Sequence, residues 1–353
     1  MATLPNLTRR LDDDFVNTWY EIRAAVIDNI LEATILTLAL KEYGTMKPQP
    51  GGEFGWTETI GYGEKSTQRF QKGSTVDQSV EELDTFARND WRFFCVDINR
   101  SLVDDNKNMG PYQIKSYIAR RLEAARNALV QDTEMYLTQW GNFYPAPKQI
   151  QGIWDVAAPS TALSTTGGGS NSDTYNSGTS NGSLSRANTW WRNWVAYSGA
   201  TQNDTNKVAG PTGSYAADLV DDLDHMFNCV SANQESPNFI VTSQLIYEAY
   251  GAEVRDSHQI VRSAFDRKAA DLGFESYTYR GATFTYSSRI TTLHVLLLNM
   301  NYIHWNYHPN AWFEMTNWKE TANQFERVAY IVNMTPGITT SQPRRHGVML
   351  YAQ

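Results

Sequence analysis

Three features of this 353-residue sequence predict an α+β fold. One long stretch, 111–140, repeats its apolar residues with the period of a helix face. Short runs with strand-like alternation precede it, and a second set of β-type runs, interleaved with shorter helical patterns, follows it.

At the N-terminal end, Asp12 to Asp14 stand ahead of Phe15, Trp19, Ile22, Val26, Ile30, Ala33 and Leu40. These residues form a helical stripe with acidic groups where the helix dipole favours them, and Lys41-Glu-Tyr-Gly44 predicts its end. The reading is one amphipathic helix on an arm, packed on its own body or on a neighbour. After Lys47-Pro-Gln-Pro-Gly-Gly52, bulky and small or polar residues alternate over Phe54–Tyr62, as in a strand, and a second strand is predicted near Arg92–Arg100. The intervening 63–77 is polar and glycine-bearing, too long for a tight hairpin, so an extended, solvent-facing β-loop is expected.

In the long helix, Ile114, Ile118, Leu122, Ala125, Leu129, Tyr136 and Trp140 fall three or four residues apart, or at sums of those spacings. Pro111 suits the first helical position and Gly141 suits a left-handed C-cap. Lys115, Arg120, Arg121, Glu123 and Arg126 occupy the other side. At about 1.5 Å per residue the helix would run roughly 45 Å, a spine for the structure around it.

Residues 165–183 are almost entirely Ser, Gly, Thr and Asn, the composition of a surface loop. Beyond Trp190-Trp-Arg-Asn-Trp194, a helix is predicted over Tyr215–Phe227. Pro237–Thr242 then reads as a strand leading into a helix over Ser243–Tyr250 that Gly251 caps. Glu275–Tyr286 reads as two strands about Arg280-Gly281, Thr292–His308 as one long strand buried along part of its length, and Arg327–Met334 and Gly347–Ala352 as further β-type runs.

The composition excludes several classes. Thirty-eight acidic against thirty basic residues leave a net charge of -8, which lacks the basic footprint of a protein that neutralises phosphates. Cys95 and Cys229 are too few for a disulfide framework and fit free thiols in a reducing cytoplasm. The first residues lack the pattern of a secretory signal, and Asp28 and Glu32 interrupt the most apolar segment, so neither export by that route nor a membrane span is expected.

A search for chemistry ends without a constellation. His304 and His308 are four apart, but the residue after His304 is Trp305 rather than a glutamate, and Pro309 argues against a helix there, so hydrogen-bonded structural histidines are the better reading. Asp218, Asp221, Asp222 and Asp224 would spread along the solvated side of a helix. Gly167 to Gly169 lack the lysine and the preceding strand of a phosphate loop. No catalytic, cofactor-binding or metal-binding residue is assigned. The aromatic clusters at 190–194 and 302–318 have the rings of a sugar-stacking surface, but such rings are more often core or interface.

The order of parts resembles the major capsid (coat) proteins of tailed double-stranded-DNA bacteriophages. The resemblance rests on that order and on Gly51-Gly52 before the loop strand, Ala87 to Trp91 entering its return, Asn106 to Gly110 before the spine, and Gln342-Pro343 with His346-Gly347 near the end. It implies a tailed-phage major capsid fold: an N-terminal arm (1–50), an extended β-loop (51–100), a peripheral domain with the spine helix (101–146), an axial domain (147–300) and C-terminal strands completing both sheets (301–353). The insertion near 165–185 has no counterpart in that pattern. The implied function is self-assembly, through pentamers and hexamers, into an icosahedral shell that encloses the DNA genome without sequence-specific binding. It also implies a virion location, assembly in the bacterial cytoplasm, portal and scaffolding partners with room for a decoration protein, no membrane partner, no cofactor and no enzymatic activity. Lys65, Arg69 and Lys72 on the loop are the candidate intersubunit contacts. The competing class is a secreted or surface carbohydrate-binding protein that uses the aromatic-rich surfaces, and a cytoplasmic enzyme ranks third.

Overall fold

A computed structural model describes residues 19–20, 34–52, 54–59, 71–75, 84–101, 111–138, 150–157, 180–181, 184–185, 191–197, 207–209, 219–232, 234–254, 276–290, 293–320 and 326–351. Its elements in chain order begin with α1 (Ile35–Glu42), β1 (Met46–Pro48), β2 (Phe54–Thr59), β3 (Asp84–Asn89), β4 (Arg92–Ser101), α2 (Pro111–Thr138) and α3 (Ile153–Val156). There follow β5 (Ser180–Asn181), β6 (Leu184–Ser185), β7 (Trp194–Tyr197), β8 (Lys207–Ala209), α4 (Leu219–Val230), β9 (Phe239–Thr242), α5 (Gln244–Val254), β10 (Tyr277–Tyr279) and β11 (Ala282–Tyr286). The chain continues through β12 (His294–Leu298), β13 (Ile303–Tyr307), β14 (Glu314–Met315), β15 (Lys319–Glu320), β16 (Glu326–Thr335), β17 (Gly337–Thr340) and β18 (Gly347–Leu350).

A mixed seven-stranded sheet, β10-β11-β9-β12-β18-β7-β8, forms a wall between two cores. Ile240, Val295, Leu297 and Met349 face α4 and α5, with Leu223, Met226 and Tyr250. Their strand neighbours Phe239, Val241, Leu296, Leu298 and Val348 face the other way, into a core shared with α1, α2 and α3. Period-two alternation thus assigns successive residues to different cores, and both faces are dry. A four-stranded antiparallel sheet places β16 between β4 on one side and β14 and β15 on the other. Its inner face, with Ile98, Ala329, Ile331 and Met315, shares the second core with Leu122, Ala125 and Leu129 of α2. A three-stranded sheet, β1-β13-β17, lies beside these.

The spine helix begins at Pro111 as its sequence predicts. Its buried residues Leu122, Ala125, Leu129, Thr133 and Leu137 continue the expected stripe, with Leu137 rather than Tyr136 completing it. Tyr136 is half-buried and packs on Phe94, ring centroids 5.4 Å apart. Gly141 and Trp140 lie outside the described residues. The Arg280-Gly281 turn joins β10 and β11, both residues having positive φ, 48° and 87°, as a tight hairpin between right-twisted strands requires.

Five expectations are corrected. The N-terminal arm helix is not continuous from Phe15 to Leu40. Thr34 has extended φ and ψ and its hydroxyl accepts from the Thr37 amide, so a new helix starts at Ile35. Its end is a Schellman motif: Gly44 donates to Lys41 O at 3.1 Å and Thr45 to Leu40 O at 3.2 Å. Residues 35–40 are buried all round, so this piece is a core helix rather than an amphipathic one. The partner of β2 is β3, not Arg92–Ser101, which instead pairs along ten residues with β16. Gly251 does not cap α5, which runs on to Val254. A Cβ at Gly251 would stand 2.8 Å from the Tyr277 hydroxyl, so this glycine makes room for an aromatic ring. Thr292–His308 is two strands in two sheets, divided at Asn299, whose side chain accepts from the Asn301 amide and starts a 3-10 turn. Finally, β17 and the 3-10 turn Pro343–Arg345 lie between the last two β-type runs, where the sequence predicts only a proline- and glycine-bearing turn.

His346 sits where the sheets meet, fully buried. Its Nδ1 accepts from the Asn299 amide at 3.2 Å and its Nε2 lies 2.9 Å from the Thr340 hydroxyl, so the ring is neutral with its proton on Nε2. Burial pushes its pKa down to about 3. Beside it, a Cβ at Gly347 would stand 2.4 Å from Met226 Cε and 2.7 Å from Val230 Cγ2, so both side chains of α4 would have to shift. Arg345, also buried, donates to Ala232 O at 2.6 Å and pairs with Glu235 at 3.6 Å, so the chain entering β18 is held on both sides.

Candidate intersubunit surface

The β-loop is a two-stranded ribbon, with Phe54 to Thr59 opposite Asn89 to Asp84 in antiparallel register. A ribbon of two strands has no core of its own, so its position depends on its base. There the Trp91 indole donates to Gly52 O at 2.6 Å and stands edge-on to His308, and the Asn89 amide donates to Gln151 Oε1 at 2.5 Å. Gln151 in turn bridges to Gly337, the first residue of β17 in the three-stranded sheet. The two runs singled out in the sequence, Gly51-Gly52 and Ala87 to Trp91, therefore meet at one joint.

Of the candidate contact residues, Lys72 lies in a turn whose Gln71 and Ser74 exchange hydrogen bonds of 3.0 and 3.1 Å, and its side chain is exposed. Lys65 and Arg69 lie outside the described residues.

Sequence reasoning missed a second surface. Along β3 the exposed side chains are Asp84, Phe86 and Arg88, whereas along β4 they are Phe93, Cys95, Asp97 and Asn99. The outward set changes from even to odd positions across 90–92, where the chain leaves the ribbon and joins β16. Phe93 is 62% exposed and Phe86 49%, and the Arg88 guanidinium stands 5.5 Å from the Phe86 ring centroid. In register with Phe93, Cys95, Asp97 and Asn99 are Met334, Val332, Tyr330 and Val328 of β16, all half-buried. Glu314 opposes Val332 and accepts from the hydroxyl of Tyr20, itself 51% exposed. The outer face of the four-stranded sheet is therefore an apolar strip bordered by carboxylates. One signal for it was available: in Arg92-Phe-Phe-Cys-Val-Asp97 alternation forces one of two adjacent phenylalanines away from the core.

The other sequence candidates have structural roles. His308 is a cap, with Nδ1 accepting from the Asn310 amide at 3.2 Å, and His304 Nε2 lies 3.4 Å from Lys47 Nζ. Burial, then the Lys47 charge, brings the His304 pKa down to about 4. Asp222 accepts from the Tyr351 hydroxyl at 2.9 Å, and Asp224 accepts from Tyr279 and pairs with Arg280 at 3.0 Å. Asp224 thus holds the turn of the β10–β11 hairpin, and Asp222 holds the end of β18. Burial and the Asp224 bond push the Tyr279 phenol far up, so it stays a donor. Asp218 and Gly167 to Gly169 lie outside the described residues, as does Trp190. Trp191, Trp305 and Trp312 are buried, so these rings of the aromatic clusters form core and offer no sugar-stacking platform. The Ser/Gly-rich insertion lies outside the described residues up to Ser180, where β5 and β6 make a two-residue-per-strand hairpin.

No protein-family model matches the sequence, and comparison with curated proteins finds no match. Among solved structures, the chain is similar to the cyanophage A-1(L) capsid asymmetric unit, with a TM-score of 0.54 at 12% identity over 87% of this chain and 90% of that one. It is also similar to the capsid of an empty GTA particle, with a TM-score of 0.51 at 9% identity over 89% of this chain and 90% of that one. With the long helix, the ribbon and the multistranded sheets in this order, the chain has the α+β fold of phage capsid subunits.

Proposed function

We propose that this protein is a structural subunit that self-assembles into the icosahedral shell enclosing a viral DNA genome. The observation that carries the reading is the match in fold over most of both chains, 87% of this one and 90% of the cyanophage capsid chain. A ribbon without a core of its own, ending in an exposed turn with Lys72, suits contact with a neighbour better than the stability of one subunit. Lys65, Arg69 and Lys72 are assigned to that contact. The net charge of -8 suits a container whose wall does not hold its DNA by neutralising phosphates. The role is geometric rather than enzymatic. Assembly takes place in the bacterial cytoplasm, with portal and scaffolding proteins as partners and pentamers and hexamers as intermediates. Electron microscopy of the purified recombinant chain tests this directly. Shells, tubes or capsomers are expected, and a dispersed monomer at every concentration and salt condition would overturn it.

A further inference from the structure

We infer that Trp19 and Tyr20 of the N-terminal arm form a strap across the edge of the four-stranded sheet, and that this strap holds β14 in a strained form that relaxes when it is released. Strap and strand belong to one chain, so the device stands apart from the shell-forming reading above.

Strand β14 is two residues long and, among the described residues, pairs with β16 alone. So short an edge has little ladder of its own to hold its shape. Trp19 and Tyr20 grip it from both faces. On the core side the fully buried Trp19 indole donates to Phe313 O at 3.2 Å, and on the outer side the Tyr20 hydroxyl donates to Glu314. Two unfavourable features meet under this grip. Phe313 has a φ of 53°, in the left-handed region that a bulky side chain rarely enters. Asn333 is fully buried, and neither its amide oxygen nor its amide nitrogen has a hydrogen-bond partner among the described residues. An amide buried in this way gives up its hydration without a hydrogen bond in return. One step beyond the Glu314–Val332 pair, the register sets Phe313 opposite Asn333, and on the other side of β16 Asn333 opposes Phe94. The rings of Phe94 and Phe313 stand edge to face at 6.4 Å between centroids, so they close over the amide from both sides. Phe94 also packs on Tyr136, which places the strained spot between the arm and the spine. Such strain persists only where the surroundings over-determine it. Trp19 supplies that restraint, since its indole holds the carbonyl of the left-handed residue itself.

Amide hydrogen exchange on the full-length chain tests the strap. Trp19→Phe keeps a ring in place and removes the donor to Phe313. Exchange over 314–316 and 330–333 should quicken about tenfold or more, as the loss of one buried hydrogen bond implies, while 239–242 and 295–298 in the seven-stranded sheet keep their protection. Unchanged exchange at β14 would overturn the inference. An equal rise in both sheets would overturn it too, because that is the mark of ordinary core loss. Tyr20→Phe takes away only the hydroxyl of an exposed side chain and leaves the core untouched. It should quicken the same amides by a smaller factor, and no change there would refute the grip on the outer side. Asn333→Leu replaces the unpaired amide with an apolar side chain of similar size and should raise the melting temperature. A fall would show that the amide is paired in solution and end the claim of strain. In the double variant, Trp19→Phe with Asn333→Leu, the quickening at β14 should shrink, because less strain pulls on the strand. The same quickening with and without Asn333→Leu would refute the link between strap and strain.

Discussion

Strand β9 buries all four of its residues, whereas β16, ten residues long, buries every second one from Ala329 to Thr335. Both are central in their sheets, and both pack one face against helices. The difference is the far face: the seven-stranded sheet has a core on each side, and the four-stranded sheet has the spine on one side and, among the described residues, no packed cluster on the other. A sheet covered twice is finished within one chain. The sheet covered once carries Phe93 exposed and Val328 and Val332 half-buried on its other face. Within one chain, the residues that carry stability and those that stand on an exposed face can therefore be different ones.

Substitutions should separate the two sheets by size of effect. The largest loss is expected for Phe284→Ala. That ring is fully buried in the two-sided sheet, 4.4 Å between centroids from Tyr250, and its removal should cost about 3–5 kcal/mol in equilibrium denaturation. A loss near zero would erase the contrast. Leu122→Ala on the spine, under the one-sided sheet, should cost about 2–5 kcal/mol, because transfer energy is lost and a cavity remains. A change under about 0.5 kcal/mol would show that the spine stripe is not core.

Third in size is a pH effect at the junction of the sheets. His346 is neutral in the fold with its pKa near 3, while in the unfolded chain it titrates near the ordinary value of about 6.5. Above that value neither state binds the proton, so stability is complete. As pH falls from about 6.5 toward 3 the unfolded chain takes up a proton that the folded chain refuses, and stability is lost at up to about 1.4 kcal/mol per pH unit. Half-buried His304, with its pKa near 4, adds to the same slope. Denaturation of wild type and His346→Gln at pH 7 and pH 5 checks the sign: the variant should start lower and fall less steeply.

The smallest effect on stability is expected for Lys65, Arg69 and Lys72 changed together to glutamate. Exposed charges away from caps and cores contribute only tenths of a kcal/mol, so the melting temperature should barely move. Particle yield should fall much further, because the same charges recur at every equivalent contact of a closed lattice. Normal yield would remove the ribbon tip from the interface, and a collapsed melting temperature would assign it to the subunit core.

The sequence alone was enough for whatever depends on neighbours a few residues away. Leu122, Ala125 and Leu129 recur at the helical period, and they are buried. Leu219, Leu223, Met226 and Phe227 do so on α4, Gly281 takes the left-handed backbone that glycine favours in the hairpin turn, and Gly44 ends its helix. The order of these parts pointed to the capsid fold. Tertiary structure alone decided which strands are partners. Alternation tells which side a residue takes relative to its neighbours, but not which strand lies next to it. Arg92–Ser101 reads equally well as the loop's return leg or as the mate of β16, and only the distant residues Glu326–Thr335 settle the matter. Similarly, the apolar run through His294–Tyr307 has no local mark strong enough to show that Asn299 ends one sheet and opens another. The phase change across 90–92 is likewise invisible until β4 has its partner, and with it the choice of Phe93 over Phe94 to face outward. Periodicity is a property of the local backbone, whereas pairing is a competition among long-range surfaces, and a single strand cannot report the winner.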